Sequence, residues 1–87
     1  MNEQAQDLIA QLADETSLSQ ADLLGLATAS EADLVMLLEA YKTAGTIADV
    51  STFDRIVAGL KVVAEIAGFV SPVVGLAENL RTVFTGL

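Results

Sequence analysis

Any chemistry in this chain would fall to carboxylates, four cations and a few hydroxyls. The sequence has no histidine, cysteine or tryptophan. Imidazole is the commonest general base, and imidazole and thiolate are the usual soft metal ligands. Composition therefore excludes a Ser-His-Asp triad and a thiol nucleophile. The serines, Ser17, Ser19, Ser30, Ser51 and Ser71, all fall at predicted helix starts. There a hydroxyl has an ordinary task, accepting a hydrogen bond from a free backbone N–H. The glycines are scattered, and none opens a helix after a strand as a phosphate loop requires. Glu31, Asp33 and Glu39 lie on or beside one helix. Without an Asp-x-Asp-x-Asp-Gly loop they read as solvated surface acids rather than a calcium or magnesium site. No catalytic residue, cofactor or metal is expected, and the chain reads as a non-enzyme.

Lys61 and Glu65 are the polar residues with the most unusual surroundings. They stand at i,i+4 inside Ser51 to Val70, a stretch that is apolar nearly all the way round when wound as a helix. Phe53, Ile56, Val57, Leu60, Val63, Ala64, Ala67 and Val70 form one broad face. Val62, Ile66 and Phe69 form a second strip on its flank. Asp54, Lys61 and Glu65, with Ala58 between them, leave a narrow polar line. The line is either the solvent edge of the helix or a polar contact fixing register between copies. Gly59, and the spacing Ala64-x-x-x-Gly68, would allow another helix to approach closely.

The elements around this stretch are all helical, because no segment alternates with period two. Helices are predicted at about 2–15, 19–28, 30–44, 52–69 and 72–86. In the first, Ala5, Leu8, Ile9 and Leu12 share a face. The second opens on Ser19 with Asp22 three residues on, and with Leu18 and Leu23 at the staple positions. Residues 30–40 repeat six identities of residues 19–29 at an eleven-residue offset. One continuous helix would explain that, but Thr28-Ala29-Ser30 suits a cap better than a helix interior, so two capped helices are expected. In the third, Leu34, Leu37, Leu38 and Tyr41 face inward, and Gly45 terminates. Ile47 and Val50 tuck in from the connection. Ser51 or Thr52 caps the central helix, and Ser71-Pro72 starts the last. There Val73, Leu76, Ala77, Leu80, Val83, Phe84 and Leu87 face inward, with Glu78–Arg81 as an exposed pair. The fold class is an all-α bundle of about five helices in one domain, 1–87.

Charge divides the chain. Residues 1–50 hold nine acidic side chains against Lys42 alone, whereas residues 51–87 hold three acids and three bases. The first part is acidic and amphipathic, and the second is a neutral, strongly apolar helical hairpin. With a net charge of −8 and no basic stripe, nucleic-acid binding is excluded, and attraction to anionic lipid is disfavoured. Apolar residues make up 53% of the chain. A domain this short buries only roughly 60–65% of the surface its unfolded chain exposes. Apolar surface in excess of one copy is therefore expected.

These observations point to a protein–protein interaction and self-assembly module. It would form homo-oligomers, closed or filamentous, through Gly59, Lys61, Val62, Glu65, Ile66 and Phe69 on helix 53–69. Death-fold adaptor domains resemble such a module in size and helical class, with no shared residue motif. The partner expected is a second copy or another helical protein. One alternative is a membrane-associated protein inserting or docking hairpin 53–87, although charges interrupt both segments before about 20 apolar residues accumulate. Another is an acidic inhibitor presenting residues 1–50 to a basic protein surface. Met1 to Asp14 lacks the features of a signal peptide, so the default location is cytoplasmic.

Overall fold

The computed structural model describes residues 2–75 and 77–86, without the side chains of Ala77, Glu78 and Val83. Its described residues form an all-α bundle: α1 (Glu3–Glu15), α2 (Gln20–Thr28), α3 (Glu31–Thr43), α4 (Val50–Ala67), α5 (Pro72–Gly75) and α6 (Ala77–Gly86). The last two flank Leu76 within the range expected for a single helix. Leu76 and Leu87, the side chains of Ala77 and Val83, and the expected Glu78–Arg81 pair lie outside the described residues.

The first three helices begin where local sequence dictates. Asn2 caps α1, its Oδ1 accepting from Ala5 N–H at 2.8 Å. Ser19 and Asp22 form the reciprocal capping box of α2, Ser19 Oγ accepting from Asp22 N–H at 3.1 Å. Ser30 opens α3 in the same way, accepting from Asp33 N–H. Ala29 and Ser30 are both extended, so the eleven-residue similarity reflects two capped helices. Two other serines do something else. Ser17 is exposed beside Thr16, whose hydroxyl accepts from Leu18 N–H and donates to the Leu12 carbonyl. Ser71 is buried and donates to the Ala27 carbonyl at 2.6 Å, satisfying an acceptor at the end of α2.

α4 is displaced by two residues from its expected span. Asp49, rather than Ser51 or Thr52, is the cap, with its carboxylate 2.7 Å from Thr52 N. Hydrogen bonds from Thr52, with a smaller contribution from the nearby Arg55 charge, hold the Asp49 carboxyl below its usual pKa. At the other end Gly68 adopts φ 77°, a left-handed conformation costly for other residues. The N–H groups of Gly68 and Phe69 both turn back onto the Ala64 carbonyl. The chain leaves the helix there, so Val70, expected on the buried face, is 95% exposed.

α4 is the hub. It packs against α1, α2, α5 and α6, while α3 reaches α5 and α6. Phe53, Ile56, Leu60 and Val63 enter one core with Ala5, Ile9 and Leu12 of α1, Leu23 and Leu26 of α2, and Leu34 and Leu38 of α3. Leu18, Ala27, Ile47, Val73, Leu80 and Phe84 complete it.

Polar ties between distant elements hold this packing in register. Asn2 uses both ends of its amide, with Nδ2 donating to the Ile66 carbonyl at 3.0 Å. Lys42 Nζ donates to the Phe84 carbonyl and lies 4.7 Å from the centre of the Phe84 ring. That ring stacks on Phe53 at 5.2 Å. Burial, then the charge of Asp22 and a hydrogen bond to it, raise the Tyr41 phenol above its usual pKa. This contact joins the start of α2 to the end of α3.

Candidate functional site at the solvent face of α4

An α-helix advances 100° per residue, so positions three and four apart share a ridge. On α4 the exposed positions are Ser51, Asp54, Arg55, Ala58, Lys61, Val62 and Glu65. Lys61 and Glu65 thus lie on the solvent side of the helix within one chain. Among the described residues neither has an ion-pair partner. Asp54 does, meeting Arg81 Nε at 3.2 Å with both side chains about half exposed. Val62 is an exposed large apolar residue of α4, at 42%. Ile66 and Phe69 are half-buried against the core, so part of the apolar flank strip is covered within the chain.

The close approach anticipated at Gly59 is made inside the chain. A Cβ at this position would lie 2.5 Å from a δ-methyl of Leu12 and 2.9 Å from its γ-carbon. α1 seats Leu12 against the bare backbone of α4, so Gly59 serves the core packing of α1 on α4. Beside it runs a shallow groove of about 330 Å³ between the two helices. Leu8, Leu12, Ala58 and Val62 supply apolar walls, with Arg55 and Glu15 also lining it. A second groove, of about 510 Å³, lies where α4 ends and α5 begins. Lys61 and Glu65 border it together with Phe69, Val70 and Val74.

Sequence places Leu8 on the apolar face of the first helix and Ala58 in the polar line of the central one, and it does not single out Arg55. The signal available was the 3-4-3 spacing of Arg55, Ala58, Val62 and Glu65, a short seam ending in opposite charges. Its exposure depends on which side of α4 the other helices cover. Glu31, Asp33 and Glu39 are exposed, and among the described residues no three His, Cys, Asp or Glu side chains converge to hold a metal ion. Among the same residues no helix is long and apolar enough to cross a membrane. A scan against protein-family models finds no match, and neither the curated proteins nor the solved structures provide one.

Proposed function

We propose that this chain is a non-enzymatic interaction module that associates with copies of itself through the solvent face of α4. The observation that carries the reading is Val62. It stands exposed on the hub helix, beside a groove with apolar walls and next to Ala58, whose short side chain leaves room for a neighbour. Water against these walls is released when a second apolar surface covers them. Among the described residues of the acidic first half, the exposed large apolar side chains, Leu24 and Met36, sit on two different helices.

Light scattering coupled to size-exclusion chromatography tests this without detergent. A mass above the 9.1 kDa single chain, rising with concentration and maintained at high salt, is expected. Val62→Asp places a charge in the contact and should return the mass to that of one chain. Its far-UV circular dichroism should stay unchanged, because Val62 contributes little to the core. A single-chain mass for the unmodified protein at every concentration overturns the reading.

A further inference from the structure

Resting on that reading, we infer the geometry of the contact: two copies pair their α4 helices antiparallel about a two-fold axis, with Arg55 of each meeting Glu65 of the other. The ridge Arg55, Ala58, Val62, Glu65 reads 3-4-3, the spacing of a coiled-coil seam. It is self-complementary when reversed. Laid antiparallel on itself, Arg55 faces the second copy's Glu65, and Ala58 faces the second copy's Val62. The other two pairs follow by symmetry, as an isologous contact requires. Charge meets opposite charge at both ends, and the large apolar residue meets the small one at the centre. A parallel pairing in register would set Arg55 on Arg55 and Glu65 on Glu65, placing like charges together at each end.

The groove between α1 and α4 gives the central pair its depth. Leu8, Leu12, Ala58 and Gly59 line the space beside Val62, and about 330 Å³ accommodates an incoming isopropyl group. Turning this groove toward the partner places the two α1 helices across the axis from each other, on one face of the paired α4 helices. Lys61 stands just over a quarter of a turn from Val62 on the side away from the groove, so its charge remains in solvent. The contact closes on itself after two copies. A filament would need a second, different surface.

Charge reversal tests the geometry by sedimentation equilibrium. Arg55→Glu and Glu65→Arg should each weaken association, about tenfold or more, because each turns both cross-pairs repulsive. The double variant Arg55→Glu/Glu65→Arg rebuilds both pairs with the signs exchanged and should return to within about threefold of the original. Glu65→Arg puts a base in the last turn of α4, which suits the helix dipole. Because Arg55→Glu removes a charge that favours the Asp49 cap, far-UV circular dichroism of each variant checks that the helices are kept. If Val62→Asp dissociates the protein but the double reversal rescues nothing, association through α4 stands and this pairing is overturned. If the unmodified chain sediments as a monomer throughout, both inferences fall together.

Discussion

On the flank of α4 that meets α6, side chains from three elements interlock over the helix. Phe84 stacks on Phe53, Lys42 reaches from α3 to the Phe84 carbonyl, and Arg81 spans to Asp54. The flank that meets α1 is finished differently. Gly59 admits Leu12 to the backbone, yet Ala58 and Val62 beside it stay uncovered and a groove remains. The same helix is thus sealed on one side by long side chains and left open on the other by short ones. Long aromatic and cationic residues can bridge the gap between neighbouring helices. Glycine and alanine bring helices close but leave nothing to extend over the adjoining surface. An open apolar strip beside a tight contact is the geometric result.

Substitutions can separate the two modes of closure. The largest effect is expected at Phe53→Ala, which removes a buried ring and its stacking contact with Phe84 together. Such truncations cost about 3–5 kcal/mol, and urea denaturation should show most of that loss. A loss under about 1 kcal/mol would mean that the α6 flank is not part of the cooperative core. An intermediate loss is expected at Gly59→Ala. Overpacking against Leu12 costs about 1–3 kcal/mol, outweighing the gain of up to about 1 kcal/mol in helix propensity. Gly25→Ala supplies the contrast, because nothing lies within 4 Å of its added carbon. It should stabilise by about 0.5–1 kcal/mol, and a gain at both glycines would show that α1 does not sit tightly on α4. The smallest effect belongs to Arg81→Ala. Its partner and it are about half exposed, so solvent screening holds the change below about 1 kcal/mol. A larger loss would shift the credit for sealing that flank from the aromatic stack to the ion pair.

The all-α class and most helix starts were legible because their determinants are local. A hydroxyl and the N–H three residues on, as at Ser19–Asp22 and Ser30–Asp33, need no knowledge of the rest of the chain. The same logic failed at Ser71, whose acceptor is the Ala27 carbonyl at a separation of 44 residues. It could not reach Lys42–Phe84 at 42 or Asn2–Ile66 at 64, contacts that exist only once helices have packed. Val70 was misassigned because periodicity was carried past Gly68, where a positive φ ends the helix. The candidate site was visible in part. Period alone places Val62, Lys61 and Glu65 toward the edge of the apolar face. Which helix occupies Gly59, and so which residues stay open beside it, is decided by the tertiary seat of Leu12.

The amide of Asn2 has a kinetic consequence. α1 is made before α4, yet the surface that buries Ala5, Ile9 and Leu12 is supplied largely by α4. An isolated helix of 13 residues is marginal in water, and closing a long loop to find its partner carries an entropic penalty before any contact compensates. Oδ1 can cap α1 at once, but Nδ2 has no Ile66 carbonyl until the last turn of α4 has wound. One side chain therefore couples the first turn of α1 to the completion of α4. α1 and α4 should gain their amide-exchange protection together, as a single folding unit, rather than in the order in which they are synthesised.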